Sequence, residues 1–157
     1  MADLLVKLYE LPDDRARLEQ LRHDGIIVRN AMAREKHSVV DWVAETFGRW
    51  WASECDVSFA SQPISCFIAV KDGGLVGFSC YDSTMRNFFG PMGVAENARN
   101  KGIGTALLLR CLHAMAAGGY GYAVIGDADP VKFYKKTVNA FEIPGSSPGV
   151  YSEWLKS

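Results

Sequence analysis

Residues 94–108 read VAENARNKGIGTALL, and the fold turns on how this run is understood. Two glycines flank Ile103, with Arg99 and Lys101 just before them. An apolar helical pattern then runs over about 102–117. Ile103, Ala106, Leu107, Cys111, Ala114 and Met115 fall on one face, and Leu108, Leu109 and Leu112 widen it until the helix is apolar nearly all round. Such a helix has to be covered on most sides. Gly118-Gly119 ends it. The first amides of a helix have no partner within it and carry about half a positive charge. Glycine lets those amides approach a ligand with no Cβ in the way. The turn therefore suits a diphosphate, with a plain helix start as the alternative. Two commoner phosphate motifs are excluded. A dinucleotide fingerprint lacks its third glycine and its acidic residue about 20 positions on, and a P-loop lacks the lysine after Gly104.

Upstream, ISCFIAV and LVGFSCY are joined by Asp72-Gly73-Gly74, a hairpin signal. NFFGPMGV (87–94) reads as a further strand, with Gly90-Pro91 marking a bulge or an edge. Downstream, YGYAVIG (120–126) reads as a strand buried on both faces. VKFYKKTV (131–138) reads as a short helix with Pro130 at its start. At the N-terminus, residues 3–9 suggest a strand and 13–25 a helix, while IIVRNAM fits strand or loop. Ser38 is the expected cap of one helix running through VVDWVAETFGRWWASE. The tail reads as turns with one or two short strands. This order predicts an α/β (α+β) fold, a mixed sheet flanked by helices within one domain over 1–157.

A net charge of -1 argues against a general affinity for nucleic acid or an anionic membrane. No apolar run reaches the ~18 residues that span a bilayer, and the first residues lack the pattern of a secretory signal. Cys55, Cys66, Cys80 and Cys111 are scattered with no C-x-x-C pair, which suits buried thiols in a reducing, cytoplasmic setting. The three histidines stand apart, so no metal site is expected.

VAENARNKGIGTALL resembles motif A of the GNAT superfamily of N-acetyltransferases, usually V-x-P-x-x-R-G-x-G-I-G-x-x-L-L. Val94, Arg99, Lys101, Gly102, Ile103, Gly104, Leu107 and Leu108 match, while Glu96 and Asn100 replace the common proline and glycine. DADPVKFYKK resembles the family's second signature, with Tyr134 where its tyrosine stands and Asp127 in place of asparagine. The hairpin resembles the strand pair before motif A. The resemblance covers about 64–138 and is weak elsewhere. It implies a mostly antiparallel mixed sheet whose two central parallel strands splay apart, one ending near Val94 and the other near Asp127. Acetyl-CoA would lie in that gap. Met92, Gly93 and Val94 would pair with its pantetheine arm, and the amides of Arg99, Asn100, Lys101, Gly102, Ile103, Gly104 and Thr105 would hold the diphosphate. Asp129 and Phe133 would complete the donor site.

The activity implied is direct attack of a primary amine, most simply of a small molecule, on the thioester. Tyr134 is the candidate general acid. Glu54 and Asp56 are the leading candidates for the base, ahead of Glu45 and Asp82, because they follow Trp50-Trp51 in the region (about 13–60) expected to wall the acceptor. Tryptophans at this spacing also suit a core, or a face between two copies of the chain. The alternative is a silent GNAT-like domain that binds coenzyme A as a sensor or scaffold.

Overall fold

The computed structural model describes residues 1–156. Strand β1 (Leu4–Lys7) leads through a 3-10 turn to helix α1 (Arg15–His23) and strand β2 (Ile26–Asn30). Helices α2 (Lys36–Phe47) and α3 (Arg49–Ser58) follow. Next come β3 (Cys66–Lys71), β4 (Gly74–Tyr81), β5 (Phe88–Val94), α4 (Ile103–Ala117), β6 (Tyr122–Ile125), α5 (Val131–Val138) and the two-residue β7 (Phe141–Glu142).

The strands form one sheet of seven in the order β2-β3-β4-β5-β6-β1-β7. Every neighbouring pair is antiparallel except β5 and β6. This is the expected mixed, mostly antiparallel sheet. The β3–β4 hairpin turns on Asp72 (φ 51°) and Gly73 (φ 76°), two successive left-handed residues whose twist matches that of the strands.

Successive strand residues face opposite sides of a sheet, and on β3 and β4 both sides are buried. Phe67 and Ala69 join a cluster with Ile103, Leu107, Leu108, Leu112 and Met115 of α4. Cys66, Ile68, Phe78 and Cys80 join a second cluster with Val39 and Val43 of α2 and Ala52 and Cys55 of α3. The sheet thus lies between α4 on one face and the α2–α3 pair on the other. Glycines permit the tightest contacts. A Cβ on Gly77 would stand 2.9 Å from Leu107 Cδ1 and 3.3 Å from Ile103 Cγ2, and one on Gly93 would enter the Phe47 ring.

Three local expectations need correction, and one offered as two alternatives is resolved. The helix foreseen across 39–54 is two helices, because Gly48 adopts φ 104° and reverses the chain between them. Periodicity missed this break, since both halves bury an apolar face. Ser38 does not cap α2, which begins at Lys36 after a turn in which Glu35 accepts the Met32 amide (2.8 Å). Of the two readings of Gly90-Pro91, the bulge holds and the edge does not: β5 lies inside the sheet, and between the pairs Ser79–Met92 and Tyr81–Phe89 it has one residue more than β4. Strand β6 is not buried throughout, since Tyr122 is 46% exposed beside Tyr9.

Just before α1, buried Asp14 accepts a 2.8 Å hydrogen bond from Arg110 Nε of α4, tying the start of one helix to the other. Gly77→Ala should lower the unfolding free energy by about 1–3 kcal/mol, the usual cost of overpacking. Chemical denaturation would measure it, and an unchanged midpoint would show that α4 and β4 are not in obligate contact.

Candidate functional site

The parallel pair is short. Phe88 pairs with Val124 and Phe89 with Ile125, and there the pairing stops. Strand β5 runs on to Val94 while the chain after Ile125 turns away at Asp127 (φ 47°) toward α5. Gly90 (φ 117°) and Pro91, which has no amide hydrogen, stand where the strands part. Beyond them β5 has β4 on one side and no strand on the other. A cavity of about 370 Å³ opens in this gap, with Gly90, Pro91 and Met92 on one wall and Gly126, Ala128 and Asp129 on the other.

At the far end of β5, Asn100 (φ 66°) and Gly102 (φ 84°) are both left-handed and fold the chain into the start of α4. The first backbone bond there runs from the Ala106 amide to the Gly102 carbonyl (3.1 Å). The amides of Asn100, Lys101, Gly102, Ile103, Gly104 and Thr105 have no backbone acceptor among the described residues. Successive free amides at a helix start form an anion-binding concavity. Arg99 Nε donates to the Val94 carbonyl (3.3 Å), keeping its charge at this turn. Arg17 of α1 adds a second cation, because a Cβ on Gly102 would fall 2.5 Å from its Nη1. Sequence reading missed Arg17, which looks like any solvent-facing helical residue.

Tyr134 of α5 lines the cavity and is only 6% exposed. Its ring meets Phe89 edge-on, with centroids 6.3 Å apart, and Phe133 at 5.1 Å. Its ring is packed, while its hydroxyl has no protein hydrogen-bond partner among the described residues and is not among their fully buried polar atoms, so it is open to the cavity it lines. Burial pushes that hydroxyl up to about 12, and the Asp129 carboxylate adds to the rise. The group therefore keeps its proton and can donate a hydrogen bond across the working pH range.

The two candidate bases separate. Glu54 lines the cavity and accepts a 2.5 Å hydrogen bond from Thr84 Oγ1. Asp56 lies outside the cavity and pairs with Lys36 Nζ at 3.1 Å. Glu45 also lies outside, and Asp82 lines a different cavity, where it accepts from the Tyr120 hydroxyl (3.0 Å). Of the donor-site candidates, Met92 and Asp129 line the gap, whereas Phe133 packs against the core.

Sequence reading also missed the C-terminal wall. Tyr151 and Trp154 pack at 4.8 Å between centroids with their planes tilted, and both line the cavity along with Trp51. The Tyr151 hydroxyl occupies the space that a Cβ on Gly126 would need. Burial raises the Tyr151 hydroxyl, and Asp3, Glu54 and Asp127 raise it further. Two aromatics in an otherwise turn-rich tail were the available signal. Trp51 stacks on Phe47 (5.3 Å) at the rim, while Trp50 is 47% exposed and lies beside Arg49.

Elsewhere, the scattered Cys55, Cys66 and Cys80 converge in the second cluster, with all three sulfurs within 4.8 Å of one another. Burial pushes the Cys80 thiol well up, in keeping with a packed, protonated side chain.

The splayed pair, the amide-rich turn and the tyrosine open to the gap stand together in a GNAT-like fold. Residues 62–137 match the family model of the acetyltransferase (GNAT) domain. No curated protein matches the chain. Among solved structures, a GCN5-related glucosamine N-acetyltransferase region of a fungal multi-domain GH3 β-N-acetylglucosaminidase is similar. It has 12% identity and a TM-score of 0.72, over 90% of this chain and 19% of that one. A GCN5-related N-acetyltransferase from Sphaerobacter thermophilus has 18% identity and a TM-score of 0.68, over 90% and 48% of the two chains. One from Kribbella flavida has 17% identity and a TM-score of 0.60, over 90% and 53%. The likeness at these identities is one of fold, and this chain spans about half or less of each structure's length. None of the described helices is long and apolar enough to cross a membrane.

Gly102→Ala forces a Cβ into the left-handed region and against Arg17, at roughly 1–2 kcal/mol. It should weaken acetyl-CoA binding about tenfold, read by thermal-shift titration. Arg17→Ala should leave the unliganded melting temperature unchanged, because the side chain is exposed, yet weaken binding several-fold at low salt. An unchanged affinity in Arg17→Ala would remove that residue from the donor site.

Proposed function

We propose that this protein is an N-acetyltransferase that moves the acetyl group of acetyl-CoA to a primary amine of a small molecule. The observation that carries this reading is the unpartnered Tyr134 hydroxyl inside the gap between β5 and β6. The ring is packed in the core while the hydroxyl is left open to the cavity, where a bound thioester can meet it.

The residues present fit acetyl-CoA, which supplies an activated thioester. The free amides of 100–105, with Arg99, Lys101 and Arg17 nearby, hold the diphosphate. The unpaired edge of β5 at Met92–Val94 binds the pantetheine arm as an added strand would. Both are backbone-led contacts. They depend on the fold's geometry more than on any single side chain.

An alkylamine with a pKa of roughly 10 arrives as an ammonium and has to lose a proton before it can attack. Glu54 is the carboxylate placed for that step, directly or through water, with Thr84 fixing its orientation. Tyr134 donates a hydrogen bond to the sulfur as negative charge develops there. Its raised hydroxyl makes it a firm donor and a poor source of a freely released proton, so stabilisation of the leaving thiolate is its main contribution. The thiolate, with a pKa of about 8.5, then needs no strong acid.

Acetyl-CoA and an amine panel that includes glucosamine, assayed by free-thiol release, test this reading. Saturable stabilisation by acetyl-CoA with no thiol release on any amine would favour the silent coenzyme A-binding domain instead. Tyr134→Phe should lower kcat by roughly 10²-fold or more and leave acetyl-CoA binding nearly intact. The pH profile provides a second test. A hydroxyl raised to about 12 is protonated at every lower pH, so Tyr134 should impose no fall in kcat/KM below pH 11. An alkaline fall at lower pH that disappears in Tyr134→Phe would contradict the assignment.

A further inference from the structure

The walls of the gap carry charge of one sign only. Glu54 enters from α3, and Asp127 and Asp129 enter from the segment between β6 and α5. No lysine, arginine or histidine lines the cavity among the described residues. Behind this lining, buried Asp3 accepts the Asp127 amide at 2.9 Å and adds a further carboxylate. The one cation paired with the group is the Met1 ammonium, 3.0 Å from Asp127 Oδ1. Glu54 and Asp129 make no ion pair among the described residues. Trp51, Tyr151 and Trp154 line the same cavity as these carboxylates, and so does Tyr134.

We infer that the acceptor is a cationic amine that carries no carboxylate or phosphate: an ammonium on an apolar, aromatic or hydroxylated carrier. The inference rests on the acetyl-transfer reading above and narrows its substrate class. An ammonium is held by the carboxylates and by cation–π contact with the aromatic faces. A carboxylate or phosphate on the same molecule would enter a partly dry space holding like charges and no cationic side chain to pair with it. The amino acids and sugar phosphates that share these amines would therefore be refused.

The chemistry agrees with this division. The amine nitrogen forms a bond to the acetyl carbon, and the carbon–sulfur bond breaks. Of the two protons that the ammonium gives up, one ends on the thiol and one goes to solvent. The product amide is neutral, so the attraction that bound the ammonium is gone once transfer is complete. The acidic wall thus favours substrate over product.

Matched pairs that differ by one anionic group test the inference in the full chain: cadaverine against lysine, tyramine against tyrosine, and glucosamine against glucosamine 6-phosphate. The member without the anion should show a kcat/KM at least about tenfold higher in every pair it is accepted from. Asp129→Lys should shrink the cadaverine-to-lysine ratio several-fold, and a ratio is insensitive to a general loss of activity. Thermal shift in the presence of coenzyme A gives a readout that does not need turnover. Cadaverine, tyramine or glucosamine should stabilise the protein at concentrations where its anionic counterpart does not. Equal rates or equal shifts within the pairs, or a preference for the anionic member, would overturn the inference. So would the absence of a shift with all three cationic probes. Absence of thiol release with every amine would instead sink acetyl transfer, with the binding comparison still deciding the acceptor class.

Discussion

Everything at the site depends on two strands that pair for two residues and then part. Phe88 and Phe89 hold β5 to Val124 and Ile125, and the next residue of β5 is a glycine followed by a proline. Had β6 continued alongside β5, its backbone would occupy the edge that is now free, and Tyr134 would face a closed sheet. Parting the strands costs the hydrogen bonds of a central ladder, in a place where unpaired backbone is normally avoided. The surrounding structure sustains that cost. Helix α4 seals one face of β5, the Phe47–Trp51–Phe78 aromatics cover the other, and β4 pairs along the remaining edge. An exposed strand edge held rigid in this way is a ready template for an extended ligand.

The two ends of the gap differ in charge. At the end of β5 the helix start of α4, Arg99, Lys101 and Arg17 make a positive field without consuming the amides of residues 100–105. At the other end, the lining side chains with charge are all carboxylates. A long ligand with phosphates at one end and a neutral thioester at the other has one favourable orientation in such a gap. Orientation is therefore a property of the field as well as of individual contacts.

The sequence was most legible where chemistry and backbone geometry coincide. Gly102 is left-handed and Gly104 opens a helix, so their spacing reports a turn whatever the rest of the chain does. The Asp72-Gly73 hairpin and the all-round apolar α4 were readable for similar reasons: the turn needs positive φ, and the helix needs cover. Legibility failed where a local pattern had two tertiary outcomes. Gly48 sits inside a continuous apolar periodicity, so the break between α2 and α3 was invisible. Glu54 and Asp56 look equivalent in sequence. On a helix, residues two apart point in different directions, and only one of them reaches the gap.

By itself, the sequence determined the β3–β4 hairpin, the glycine turn that opens α4 and the cover that α4 needs, because these rest on local backbone demands and short spacings that survive without knowledge of distant contacts. The place of Tyr134 one strand later is what the resemblance to the family's second signature implies. The tertiary structure alone decided what else meets the turn and the gap. Arg17 beside the turn, and Thr84, Tyr151 and Trp154 at the gap, come from segments far apart in the chain. Their meeting depends on how α1 is tied to α4 through Asp14 and Arg110, and on how the tail crosses Gly126. A binding wall assembled from such distant pieces leaves no period and no motif in the sequence, because each residue's role is set by what it meets after folding.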